Sequence, residues 1–278
     1  MVLRGLVRVA GALALAACLW APGPAQTPEG LVYDELLHTL PAGASPPPPG
    51  ALADELATPA PGAPRPRRAS RPAFRHLRYS YWNGWERVDD VTAGTATIRK
   101  CDLGQVVHLN LERKTYVTLT PDQDTPTPPP ATGQATALLD ETTVPLATTL
   151  FQGETANGFS TATVVTVSGP TGSCRAGTQE IHTVQYLAQR PRPFGAGCPI
   201  RDPAPENAVA YVTNAEGGCR LTPTARKAGP VVPNRLSFYS LVSVEGGPSY
   251  LTERGNIQTL TQADASRFEI PLGFTKAP

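Results

Sequence analysis

What this 278-residue sequence has little of narrows its class first. Beyond the N-terminus no stretch approaches the ~20 consecutive apolar residues that a membrane-spanning helix needs. Charged residues make up 17% and aromatics 6%, and 24 basic against 23 acidic side chains leave a net charge of +1. That balance argues against a basic nucleic-acid-binding domain, a coiled coil or a helical bundle, and no nucleic acid is expected as a partner. There is no Gly-x-Ser-x-Gly elbow, no phosphate-binding Walker loop, no dinucleotide fingerprint and no His-Glu-x-x-His. His38, His76, His108 and His182 are scattered and no Cys-x-x-Cys pair occurs, so the spacing offers no metal site and no cofactor follows.

What is abundant is proline (31) and glycine (25), together about a fifth of the chain. Much of the proline concentrates in two places. Residues 41–72 are Pro/Ala/Arg-rich, with Pro46 to Pro49 and Pro59-Ala60-Pro61, and residues 121–134 carry Pro126, Pro128, Pro129 and Pro130. Such segments neither continue a helix nor pair inside a sheet. The first is expected to be a disordered insertion, with a solvated basic end at Arg65 to Arg71; the second is a loop.

Residues 1–25 read as a signal peptide. Arg4 and Arg8 form a basic start, and Val9 to Trp20 form an apolar run of twelve, too short to span a bilayer. Two endings are open. Gly23-Pro24-Ala25 before Gln26 suits a signal peptidase; Leu15-Ala16-Ala17-Cys18 suits lipid attachment, with Cys18 as a membrane anchor. Either way the expected location is extracytoplasmic, in the periplasm or cell envelope of a bacterium, free or lipid-anchored. Cysteine usage agrees with export. Cys101, Cys174, Cys198 and Cys219 remain after processing, enough for two disulfides in three pairings. A hairpin between Cys198 and Cys219 would join those two and leave Cys101 for Cys174.

Strand signals dominate the rest. Leu31 to Leu37, within residues 26–40, could form a first strand or a helical turn. From Phe74, short alternating runs follow at Leu77–Tyr81, Trp85–Val88, Thr95–Cys101, Gln105–Leu111 and Thr115–Leu119, with Asn83-Gly84 as a turn dipeptide. Links this short require an antiparallel meander. Phe159–Val167, Glu180–Leu187, Ala208–Val212 and Arg235–Val244 extend the β pattern, and one helix is expected near Ile257–Ser266 with Asp264 as a cap. The expected fold is mainly β. Residues 73–278 would form one large curved antiparallel sheet, an open half-barrel, with one or two short helices.

Few residues suggest chemistry. Glu86, Asp89 or Asp90 with His108 could serve an exported hydrolase, but adjacent Asp89 and Asp90 must face opposite sides of a strand. Tyr79, Tyr81, Trp82 and Trp85 cluster around one turn, and such aromatics either fill a core or line a lipid or sugar pocket.

Two of these stretches also resemble a known group. Trp85-Glu86-Arg87-Val88-Asp89, followed by Thr97-Ile98, Val106 to Leu111 and Lys114-Thr115-Tyr116, resembles the strand pattern of the bacterial lipoprotein-carrier-like superfamily, the periplasmic LolA/LppX-type proteins. Ser266 to Phe274 resembles the closing Phe-x-(Ile/Leu)-Pro-x-Gly-(Phe/Tyr) of the same group and its exported relatives. The match covers about a fifth of the chain, with Trp85, Arg87 and Tyr116 at scaffold positions. The resemblance implies a bent half-barrel with a helical lid over a hydrophobic cavity. The long proline insertion, the four cysteines and the shortage of helix depart from it.

The leading expectation is therefore an exported, non-catalytic protein that binds lipid or an acyl chain on a curved sheet, with any protein partner unknown. A structural or adhesive envelope module with a filled core is the alternative, and an exported hydrolase the third. A cavity distinguishes the first from the second.

Overall fold

A computed structural model describes residues 30–51, 74–124, 131–191 and 218–277 of this chain. Signal peptide, Cys18, most of the 41–72 insertion, Cys198 and the 208–212 run lie outside the described residues.

The meander forms as its alternation requires. Strands β2 (Phe74–Trp82), β3 (Trp85–Asp90), β4 (Thr95–Lys100), β5 (Gln105–Asn110) and β6 (Thr115–Leu119) pair antiparallel in sequence order. Asn83 and Gly84 both take positive φ, the geometry that lets a two-residue turn follow the strand twist. Strand β1 (Gly30–Leu40) resolves the open choice at 26–40: it is a strand, and a central one, between β2 and β12 (Ser249–Leu260). The strands on either side of the proline segment, β1 and β2, pair with each other. Gly30 sits where only glycine fits, because a Cβ there would collide with the Tyr81 carbonyl oxygen.

The other half of the sheet is built on a long hairpin, β7 (Gly133–Phe151) and β8 (Glu154–Ser168), continued by β9 (Gly177–Pro191) and β11 (Arg235–Val244). Two outer strands complete it: β10 (Cys219–Ala228) beside β7 and β13 (Thr275–Lys276) beside β6. The order is β10-β7-β8-β9-β11-β12-β1-β2-β3-β4-β5-β6-β13, one open sheet of thirteen strands that does not close into a barrel. The fold class is as the sequence pattern requires, with one addition. Both outermost strands pair in parallel, so the sheet is antiparallel only between its edges. Proline marks the β10 margin: Pro223 lies in the edge strand, and Pro145 lies past Thr142, where β10 stops covering β7.

Among the described residues helix is confined to one turn at Pro121–Asp124 and to 3-10 turns at Cys101–Leu103 and Gln262–Phe268. The expected helix at Ile257–Ser266 is displaced. Residues 257–260 stay in β12, paired with β1, and the helical turn starts only after Thr261, whose backbone N–H donates to Asp264 Oδ2 at 3.0 Å. Asp264 still caps, from the third position of the turn.

The cysteine pairing is also corrected. Cys174, in the loop after β8, is bonded to Cys219 at the start of β10, with the Cα atoms 5.0 Å apart. The joins Cys198–Cys219 and Cys101–Cys174 are both excluded by that bond. The reason is the parallel edge: β10 enters beside Gly133, under the 171–174 loop, where Thr171 N–H donates to the Gln134 carbonyl. A hairpin reading could not anticipate a parallel strand.

Three buried clusters hold the sheet. Tyr33, Leu36, Leu77, Tyr79, Phe151, Phe238 and Leu251 form the first; Val32, Trp82, Ile98, Val107, Leu109 and Phe268 the second; Leu139, Val165, Ile181 and Val242 the third. The second is closed by the C-terminal turn, which carries Phe268 onto β3. Each fully buried side chain of this size contributes about 1.5–3 kcal/mol.

Candidate functional site

Strand alternation splits the aromatic candidates between two faces. Tyr79 and Tyr81, two residues apart, share one face with Tyr33; Tyr33 stacks on Tyr79 at 5.1 Å between centroids, and Tyr79 on Tyr81 at 6.1 Å. Trp82 and Trp85 face the other way as a cross-strand pair over the Asn83-Gly84 turn. Tyr79 is 1% exposed and Tyr81 and Trp82 each 7%, which places three of the four inside the packed core. Trp85 lies edge-on to Phe268 at 6.2 Å, with Lys100 Nζ 4.3 Å above its ring and its indole N–H donating to Asp102 Oδ1. Burial pushes the Tyr79 and Tyr81 phenols well above the ordinary tyrosine range, and the nearby Glu35 and Tyr33 add to it. They remain neutral phenols.

The face opposite the tyrosines carries a cavity of about 770 Å³ where the C-terminal turn meets β2 and β3. Three arginines converge on it, Arg78, Arg87 and Arg267, with two carboxylates, Asp89 and Glu112, and with Val91 and Leu111 also in its wall. Arg78 comes from β2, in a cross-strand row that runs Asp34, Arg78, Asp89. Its Nε and Nη2 donate to the two Asp34 oxygens at 2.7 and 3.0 Å. Asp34 is almost fully enclosed; burial alone would raise its pKa, but hydrogen bonds from His76, Arg78 and Asn256 outweigh it and hold the carboxyl well below its usual range. The pair in turn raises the Arg78 pKa, so the guanidinium stays charged.

Arg87 is fixed on both sides. Its Nε and Nη2 grip Asp89, the shortest contact being 2.6 Å, while Nη1 donates to the Arg267 carbonyl oxygen at 2.8 Å. Arg267 is the least committed of the three. Its nearest ion-pair contact is Asp264 at 3.7 Å, and its side chain is 44% exposed at the mouth of the cavity. Val91 and Leu111 give that mouth apolar surface beside the guanidinium groups. Such a wall can take an anion on its N–H groups and an apolar chain alongside.

The acidic candidates are each bound to a base: Glu86 to Arg99 at 2.9 Å, Asp89 to Arg87 at 2.6 Å and Asp90 to Arg75 at 2.6 Å. Asp89 and Asp90 do face opposite sides, and His108 Nδ1 lies 3.0 Å from the Thr97 hydroxyl. The three acids lie on β3 and His108 on β5, with β4 between them.

No family model and no curated protein matches the chain. A crystal structure described as an outer-membrane lipoprotein-sorting protein domain from Vibrio parahaemolyticus aligns with 86% of this chain and 89% of its own, at 7% identity and a TM-score of 0.27. A likeness of that size does not establish a shared fold.

Arg78 and Arg267 had no distinguishing signal in the sequence. Arg78 alternates with apolar residues as any solvent-side strand residue does, and Arg267 sits in the closing motif beside Phe268. Only the packing of that motif on β3 brings them together.

Proposed function

We propose that this chain is an exported, non-catalytic binding protein for an amphiphile, a lipid or acyl chain with an acidic head. The observation that carries the reading is the convergence of Arg78, Arg87 and Arg267 on one large cavity whose mouth also presents Val91 and Leu111. The head group is held by Arg267 and by the exposed part of Arg78; the tail lies along the apolar wall, gaining about 25 cal/mol per Å² buried. Asp34 and Asp89 orient the two strand arginines, leaving Arg267 as the one that answers to the ligand. The Cys174–Cys219 disulfide supports an oxidising, extracytoplasmic setting.

Titration calorimetry on the mature chain tests this with dodecyl phosphate below its micelle concentration, against a neutral polyoxyethylene dodecyl ether. Preferential binding of the phosphate, weakened by Arg267→Gln, is the expected result. Equal or absent heats for both would remove the reading.

A second reading has its own support. Tyr79, Tyr81 and Trp82 are buried, and none of the four aromatic candidates lines the arginine cavity. A filled core of this kind suits a structural or adhesive envelope module, for which neither amphiphile would bind.

A further inference from the structure

A second cavity, of about 300 Å³, lies at the other end of the sheet. Its floor is a row of threonines. Thr143 on β7 is paired with Thr161 on β8, and Thr161 with Thr183 on β9, so three hydroxyl-bearing side chains form one line across three strands. Thr163, two residues on from Thr161, adds a fourth on the same face. Thr143 and Thr161 satisfy each other, with their oxygens 2.9 Å apart. Thr163 and Thr183 do not. They are 1% and 3% exposed, and neither Oγ1 has a hydrogen-bond partner among the described residues.

The roof is the segment from Gly229 to Asn234, which leaves the end of β10 and crosses to β11. Gly229 has φ +89°, and a Cβ there would strike the Thr143 carbonyl oxygen, so glycine is what lets the segment press onto the floor. Pro230 and Pro233 stiffen it, while Val231 is 87% exposed. Lys227 and Glu141 close one end as a pair at 3.1 Å, and Arg235, also in the lining, donates from Nη1 to the Gln189 side-chain oxygen at 2.7 Å.

A buried hydroxyl without a partner costs about 1–3 kcal/mol, and two lie diagonally across β8 and β9 in a cavity that, among the described residues, the Gly229–Asn234 segment roofs. A hydroxyl can both donate and accept, so a row of them suits a ligand that does the same. We propose that this cavity is a binding site for a small neutral polyol, of the size of a single sugar ring. With the roof down, Thr163 and Thr183 are shut off from solvent; the ligand enters as the Gly229–Asn234 segment lifts, and its hydroxyls complete theirs. The proposal stands apart from the arginine groove, since the two cavities share no lining residue.

Saturation-transfer NMR on the whole mature chain tests it, with myo-inositol and D-glucose at about 10 mM as probes, a concentration suited to weak sites. Transfer to at least one probe is expected. Thr163→Val with Thr183→Val should cut it about fivefold or more while the melting temperature holds or rises, because valine removes an unsatisfied hydroxyl at nearly constant shape. Thr183→Ser alone should retain the signal, and it guards against a double variant that fails to fold. Saturating dodecyl phosphate should leave the polyol signal unchanged, so failure of one site is distinguishable from failure of the other. Absence of transfer from both probes, or equal transfer in the double valine variant, overturns the proposal.

Discussion

Arg87 donates from Nη1 to the carbonyl oxygen of Arg267 at 2.8 Å, joining two residues 180 positions apart in the chain. Beside that bond Trp85 meets Phe268, and Lys100 meets Glu269 at 2.6 Å. The C-terminal turn is thus bound to β3 and β4 by one ring contact and two charged hydrogen bonds. Arg87→Leu should cost about 1.5–3 kcal/mol, the usual range for a hydrogen bond to a charged group. Hydrogen exchange should localise the loss to residues 262–277 and β3, leaving the β7–β8 hairpin protected as before.

The β3–β4 region and the closing Ser266 to Phe274 segment each supply half of one packed seam. Other parts were legible for simpler reasons. The meander from Phe74 to Leu119 follows from alternation and the Asn83-Gly84 turn, and β11 spans the same Arg235–Val244 run that the sequence shows. Strand β7 was hidden because Pro145 and its mix of small residues and threonines look like a continuation of the proline loop. Strand β10 was hidden by Pro223 and by a parallel pairing that no local pattern announces. Of the two roles open to the aromatic cluster, core filling describes Tyr79, Tyr81 and Trp82, which strand alternation divides between the two faces of the sheet.

The buried ion pair between Glu35 and Arg254 is a second test. Arg254 Nε and Nη2 both reach Glu35 Oε2 at 2.6 Å, with the side chains 1% and 3% exposed. Glu35→Leu alone should cost about 3–5 kcal/mol by leaving a buried guanidinium without its counter-charge. Combining it with Arg254→Leu should recover much of that loss, measured by urea midpoints in a double-mutant cycle.

Acid should act through Asp34. Its folded pKa is lowered, so its contribution is present above the unfolded carboxyl value near 4 and is lost as pH falls below that. The gap in stability between wild type and Asp34→Asn should therefore be widest at neutral pH and shrink between about pH 4 and pH 2. A gap that stays constant over that range would contradict the assignment.

The Cys174–Cys219 bond closes a separation of 45 residues, worth about 4 kcal/mol in the chain-entropy picture. Replacing both with serine should lower the melting temperature and release β10, the strand whose side chains are mostly exposed. Non-reducing peptide mapping should recover the Cys174 and Cys219 peptides linked. If no thiol is free, the remaining link must join Cys101 to Cys198.

The central claim is that the arginine groove holds an amphiphile with an acidic head. Native mass spectrometry of the protein purified from envelope fractions tests it most directly. The account predicts a co-purifying lipid whose occupancy falls when Arg78 and Arg267 are both changed to glutamine. Ligand-free protein across several preparations, or a lipid retained in full by that double variant, would contradict it.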